Sequence, residues 1–147
     1  MEFEGFITYS FTPKDFTRKS APGLVYVACR IADEQEIPFY VGETHSVRNR
    51  LDDYCWADFQ ASTDFKVGEA VKYLCEKGFR VVVKIKASLN RLQEQNEIIA
   101  RLRQEGIKLL NDCPGYKYET ADEANERVRV HQFVDSLLST AAGATAP

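Results

Sequence analysis

Two short apolar runs separated by an acidic turn constrain the fold of this chain more than any other feature. The runs, Leu24 to Cys29 and Ile37 to Gly42, are rich in β-branched and aromatic residues, and Ala32 to Glu36 between them is polar. This pattern predicts a β-hairpin. Thr44 or Ser46, directly after the second run, can cap a helix.

The hairpin and the following helix place four side chains in a fixed register. Tyr26 and Tyr40 lie on neighbouring strands. Arg50 and Tyr54 lie one turn apart on the helix and share a face, because residues four apart on a helix are neighbours. A guanidinium presents a rigid fork of donors to a phosphate group, and the missing Cβ of Gly42 lets a ligand approach the backbone. We therefore expect these side chains to converge on one concave surface that binds a phosphate ester.

A purely structural role is the alternative for each of these residues taken singly. A tyrosine on a strand commonly packs against a half-buried surface, and an arginine on a helix commonly lies in solvent. The combination of four such residues at these spacings favours the binding site.

These residues resemble the motif of the GIY-YIG nuclease superfamily, which includes homing endonucleases, excision-repair nucleases and some restriction enzymes. Tyr40-Val41-Gly42 is similar to the YIG element, and Leu24-Val25-Tyr26 is a looser match to the GIY element. Arg50 follows Tyr40 at the spacing of the family's arginine, and Tyr54 stands where the family has a His or Tyr. The resemblance extends more weakly to Asn111, in the position of the family's asparagine.

The resemblance implies a metal-dependent endonuclease that hydrolyses phosphodiester bonds of DNA with a single Mg²⁺ or Mn²⁺ ion. In the family's mechanism, the equivalent of Tyr26 helps to activate the attacking water, and Tyr40 orients the site. Arg50 would stabilise the charge that develops on the phosphate, and Tyr54 completes the catalytic set. The expected substrate-binding residues are Gly42, Arg48 and Asn111.

The metal-binding glutamate of the family would lie on the helix that Asn90 opens. The apolar residues of that helix set the register, and the position three residues before Ile98 holds Gln95. A neutral amide is a poor ligand for Mg²⁺, so the predicted metal ligand is the neighbouring Glu94. One residue on a helix is a rotation of about 100°, so Glu94 needs a slip, a bulge or a kink to reach the tyrosines.

Two other functions fit the same residues. With Gln95 in the metal position, the chain can be a catalytically degenerate module of this fold that binds nucleic acid or a protein partner. It can also be a small inhibitor or regulatory protein whose contact is the acidic C-terminal helix. Metal-dependent nicking of DNA separates the enzyme from both alternatives.

The whole pattern predicts an α+β fold in which a small, mostly antiparallel sheet of three strands is flanked by helices. The predicted strands span residues 24–30, 37–42 and 79–86, and Asp64 and Asn90 are the predicted caps of two further helices. The predicted organisation is an aromatic N-terminal apron (1–22), the GIY-YIG-like domain (23–118), an amphipathic helix capped by Thr120 (119–138) and a flexible tail (139–147).

Charge and composition add weaker constraints. The net charge of −3 does not indicate a nucleic-acid binder. However, five of the 22 acidic residues and only two of the 19 basic residues lie from Glu119 onward, so the rest of the chain is balanced. The chain has no apolar run long enough for a membrane span and no signal-peptide pattern at its start, which predicts a cytoplasmic protein. The four cysteines lack metal-site spacing.

Overall fold

A sheet of four antiparallel strands, in the order β1–β4–β2–β3, forms the centre of the computed structural model. The structure describes residues 3–11 and 23–145, with the backbone alone for residues 47–48 and 140–145. The strands are β1 (Ile7–Ser10), β2 (Leu24–Ala32), β3 (Gln35–Thr44) and β4 (Arg80–Ala87). The α+β class is confirmed, but the sheet has four strands rather than three, because β1 pairs along β4.

The predicted hairpin is formed by β2 and β3, and both strands are longer than the apolar runs. Its turn consists of Asp33 and Glu34, which have φ values of 50° and 66°. Positive φ at both central positions gives the turn whose twist matches that of the strands.

A β-bulge interrupts the hairpin between Ala28 and Cys29. Tyr40 lies opposite Ala28, whereas Pro38 lies opposite Cys29, so Phe39 is the extra residue. Side chains normally alternate between the faces of a strand, yet Phe39 and Tyr40 both pack in the same core. The bulge therefore adds Phe39 to the core of the tyrosines, whereas Tyr40 faces Tyr26 through ordinary alternation, because it lies two residues before Gly42, the partner of Tyr26.

In the described part of the chain, four α-helices cover the two faces of the sheet. They are α1 (Val47–Trp56), α2 (Ser62–Glu76), α3 (Arg91–Gln104) and α4 (Glu123–Thr145), and a 3₁₀ turn spans Leu110–Asp112. Residues of α1, α2 and α4 share one core with Tyr26 and Tyr40. Residues of α3 pack with Val25, Val27 and Val41 on the other face. The strand β3 is at the edge of the sheet, so helices from both faces can meet beside it.

Several predicted caps and ends require correction. Helix α2 begins at Ser62, so Asp64 lies in its first turn. Asn90 precedes α3 but makes no side-chain cap. The cap of α4 is Asp122 rather than Thr120, since its carboxylate accepts a hydrogen bond from the Asn125 N–H at 3.0 Å. Ser46, one of the two candidates, caps α1.

The helix α4 is longer than predicted, and its apolar face is buried in the domain. It continues to Thr145 through most of the predicted tail, which is rich in alanine, the strongest helix former. Its apolar residues Val130, Val134 and Leu137 are buried in the core of the tyrosines. The apolar face of α4 therefore covers the domain, and only its outer face is open to a partner.

Within the described residues, no helix combines the length and the apolarity that a membrane crossing requires. The N-terminal apron is described only as far as residues 3–11, and residues 12–22 lie outside the described part of the chain.

Candidate functional site

The four predicted catalytic side chains line one hollow of about 380 Å³ at the β3 edge of the sheet. Tyr26 comes from β2, Tyr40 from β3, and Arg50 and Tyr54 from α1. The remaining lining residues are Gly42, Glu43, Thr44, His45, Arg91 and Gln95. The convergence expected from the sequence is thus present in the structure, and four of the lining residues were not predicted as site residues.

The three tyrosines form a compact triangle, with ring centroids 6.3–6.4 Å apart. The hydroxyl groups of Tyr26 and Tyr54 share a short hydrogen bond. Arg50 continues this chain, since its Nε donates to the Tyr54 hydroxyl at 3.3 Å and its guanidinium carbon lies 5.0 Å from the centre of the Tyr54 ring. The phenols and the guanidinium therefore act as one hydrogen-bonded group.

Burial sets the protonation state of the phenols. Tyr26 is 2% exposed and Tyr54 1% exposed. Desolvation raises the pKa of Tyr26, of Tyr40 and of Tyr54 well above the ordinary value for tyrosine. At neutral pH all three are therefore uncharged hydroxyl groups, which suits them to donate hydrogen bonds to an anion better than to remove a proton from water.

Arg50 carries a permanent positive charge at this site. Burial lowers its pKa, but the neighbouring Tyr54 and Tyr26 and the Asp64 carboxylate raise it, and the net pKa lies above the usual value. One terminal nitrogen donates to Asp64 at 2.7 Å and the other to Asp53 at 3.4 Å. The side chain is still 29% exposed, so an incoming anion can reach it by competing with these carboxylates.

The missing Cβ of Gly42 makes room for the ring of Tyr26 rather than for a ligand. A Cβ at this position would lie 2.3 Å from both Cζ and the hydroxyl oxygen of Tyr26. The space that the missing Cβ leaves is therefore filled by the Tyr26 phenol. This corrects the expectation that a ligand occupies it, and it explains why glycine stands opposite Tyr26 in the hairpin.

The side chain of Asn111 is hydrogen-bonded to the backbone of β3. Its side-chain N–H donates to the Val41 carbonyl at 2.7 Å, and its side-chain oxygen accepts from the Val41 N–H at 3.0 Å. Both ends of the amide are thus bound to one residue of the edge strand. Asn111 does not line the tyrosine hollow, so its predicted contact with substrate is replaced by a positioning role. The backbone of Arg48 is in α1, and its side chain lies outside the described part.

The structure places Gln95, and not Glu94, in the hollow. Helix α3 runs without interruption from Arg91 to Gln104, so no slip or kink rotates Glu94 toward the tyrosines. The Glu94 carboxylate instead pairs with Lys86 at 2.7 Å and lines a separate hollow. Burial tends to raise the pKa of Glu94, but hydrogen bonds from Lys86 and Ser88 lower it overall. The prediction of Glu94 as a metal ligand beside the tyrosines is therefore corrected.

The sequence did not predict Glu43, Thr44, His45 and Arg91 as site residues. Arg91 Nε donates to the Glu43 carboxylate at 2.6 Å, and its terminal nitrogen is hydrogen-bonded to His45. Glu43 and His45 lie one and three residues after Gly42, so their closeness to the YIG-like element in the sequence could have indicated them. Arg91 had no such signal, because 48 residues separate it from Glu43 and only the packing of α3 brings it to β3.

No protein-family model, curated protein or solved structure matches this chain. The likeness to the GIY-YIG superfamily consequently depends on the residues of the motif and on their arrangement at the β3 edge.

The donors of the hollow do not fit a hard divalent cation. Such an ion takes charged oxygen ligands, and the residue at the position expected for the ligand is the neutral amide of Gln95. The carboxylate of Glu43 is already paired with Arg91. Among residues 3–11 and 23–145, no group of three His, Cys, Asp or Glu side chains is arranged to hold a metal ion. The arrangement favours an anion.

Proposed function

We propose that the protein binds a phosphodiester group of DNA in the tyrosine hollow and acts as a GIY-YIG-like binding module. The observation that supports this most directly is the combination of neutral phenols and a charged guanidinium in one hollow whose metal position holds Gln95. Arg50 would supply a fork of donors to the phosphate oxygens, and the phenol hydroxyls would add uncharged donors.

Arg91 supports the proposal from the opposite side of the hollow. It gives the site a second guanidinium, held by Glu43 on β3. Arg50 and Arg91 come from helices that pack on opposite faces of the sheet. A phosphate between them would be attracted by both, and binding should be sensitive to salt, as expected where cationic side chains neutralise phosphates.

The test is binding of single-stranded and duplex DNA by the wild type and by Arg50→Ala, measured by fluorescence anisotropy at several salt concentrations. We expect Arg50→Ala to weaken binding at least tenfold, the cost typical of losing one close charged contact, and to lower the salt slope by about 1. Arg80→Ala is the matched control, because Arg80 is exposed at the far end of β4, opposite Ile31 rather than Tyr26. If Arg50→Ala binds as tightly as wild type, the hollow is not the DNA site.

Metal-dependent DNA cleavage is the second candidate function. It is favoured by the hydrogen-bonded chain of Tyr26, Tyr54 and Arg50, which matches the constellation that the resemblance implies for an endonuclease. A plasmid-nicking assay with Mg²⁺ or Mn²⁺ tests it. Nicking by the wild type that disappears in both Tyr26→Phe and Arg50→Ala would establish the enzyme, whereas binding without nicking supports the module.

A further inference from the structure

Two exposed leucines lie beside the tyrosine hollow. Leu89 is 93% exposed and Leu92 61% exposed, and they flank Arg91 at the start of α3. Together with Asn90 and Gln93 they line an open hollow of about 450 Å³. Large apolar side chains at such exposure gain nothing from the folded chain, which makes them candidates for contact with a ligand.

This leucine hollow lies next to the tyrosine hollow. Glu43 and Arg91 line both, so a ligand that reaches Arg91 from one side meets the leucines on the other. A chain molecule with an anionic backbone and flat apolar side groups would fill both spaces at once. Its phosphate would lie between the guanidiniums, and the group attached to that phosphate would lie on the leucines.

The chemistry of the leucine hollow matches a nucleobase. A base has an apolar face and a hydrogen-bonding edge, and the hollow offers two aliphatic side chains next to two amides, Asn90 and Gln93. Asn and Gln side chains can form hydrogen bonds with base edges, as in their bidentate pairing with adenine. In a duplex, stacking hides the faces of the bases, whereas an unpaired strand leaves them open to protein side chains.

We infer that Leu89 and Leu92 form a base-contacting surface, which makes the protein selective for unpaired nucleotides in single-stranded DNA. This inference rests on the proposed function, since the tyrosine hollow must hold the phosphate for the leucines to meet the adjacent base.

The experiment compares a thymidine strand with an abasic strand of the same length, which has the same phosphates and no bases, and with a duplex. The proteins are wild type, the double variant Leu89→Ser/Leu92→Ser, Arg50→Ala, and the control Val128→Ser, which removes an apolar side chain on α4 that is 53% exposed. Circular dichroism checks that all four are folded. Because the two leucines make no contribution to the core, the double variant should retain the wild-type melting temperature.

We expect the wild type and Val128→Ser to bind the thymidine strand roughly tenfold more tightly than the abasic strand, as follows from burying about one aliphatic side chain. The double variant should bind both strands equally, at the wild-type affinity for the abasic strand. A double variant that binds the thymidine strand like wild type overturns the inference and leaves the leucines for another contact, such as a protein. Failure of the proposed function gives a different result, because Arg50→Ala would then bind the abasic strand as tightly as wild type.

Discussion

The contact between Gly42 and Tyr26 gives the sharpest prediction about how the tyrosine hollow is built. In Gly42→Ala, the new methyl group would lie 2.3 Å from Cζ and the hydroxyl oxygen of Tyr26 and 2.8 Å from Cε2. Tyr26 is 2% exposed and its hydroxyl is bonded to Tyr54, so any shift of its ring toward the hollow would break or distort that buried bond. The methyl group must therefore displace either the ring or the strand.

Two opposing effects determine the size of the change. Replacing glycine by alanine within a strand favours folding by roughly 0.5–1 kcal/mol through backbone entropy. Overpacking a core costs about 1–3 kcal/mol, and weakening the buried bond between the two phenols adds about 1 kcal/mol. The net loss should be about 1–3.5 kcal/mol in the free energy of unfolding, or a fall of roughly 3–11 °C in melting temperature for a chain of this length.

Thermal and urea unfolding of four proteins measure this effect: wild type, Gly42→Ala, Tyr26→Leu and the double variant. Leucine lacks the outer ring atoms that the new methyl group meets, so in the Tyr26→Leu background Gly42→Ala should be neutral or slightly stabilising. A coupling energy of about 2 kcal/mol between the sites is expected from this double-mutant cycle. A Gly42→Ala protein as stable as wild type would show that the ring is not fixed in the described position.

The remaining predictions concern three polar residues. Asn111→Ala should lower the free energy of unfolding by about 2 kcal/mol, since two hydrogen bonds to the backbone of β3 are lost, as urea unfolding will show. Burial raises the pKa of Asp64 despite Arg50 beside it, so protonation of Asp64 as the pH falls through that pKa should release Arg50 and strengthen DNA binding. Asp64→Asn should bind more tightly at neutral pH and lose this pH dependence. Gln95→Glu should weaken DNA binding in EDTA, because it adds a negative charge to the hollow, and should increase Mn²⁺ binding measured by calorimetry, whereas Glu94→Ala should change neither.

Each of these predictions has an outcome that contradicts it. Asn111→Ala with wild-type stability would mean that water replaces both amide contacts without loss. If Asp64→Asn keeps the pH dependence of the wild type, another group must control the charge on Arg50. A loss of DNA or metal binding in Glu94→Ala would place that carboxylate at the tyrosines after all.

The parts of the site that were predictable are those fixed within one element or across one turn. The hairpin itself, though not the bulge at Phe39, follows from two apolar runs and a short turn, and the spacing of Arg50 and Tyr54 follows from the period of a helix. The same reasoning places Gln95 and Glu94 on different sides of α3. These relations depend on local geometry, which the sequence expresses directly.

The unpredicted parts depend on contacts between distant segments. Arg91 reaches Glu43 only because α3 packs across β2 and β3. The strand β1 joins the sheet through Thr8 and its neighbours, which pair with residues 72–78 positions later in the chain. The hydrogen bonds between Asn111 and Val41 join residues that are 70 positions apart in the chain. No periodicity in the sequence encodes such pairings, since they arise from how complete elements fill the two faces of the sheet.

The bond between Asn111 and Val41 also has a consequence for self-association. An edge strand exposes backbone N–H and C=O groups that can pair with a strand of another molecule and start aggregation. At Val41 both groups already have a partner in the Asn111 amide, so a second chain cannot add to β3 there without displacing it. The side chain of Asn111 thus keeps the most apolar part of this edge closed to intermolecular β-pairing. The protected residue, Val41, directly follows Tyr40 on β3.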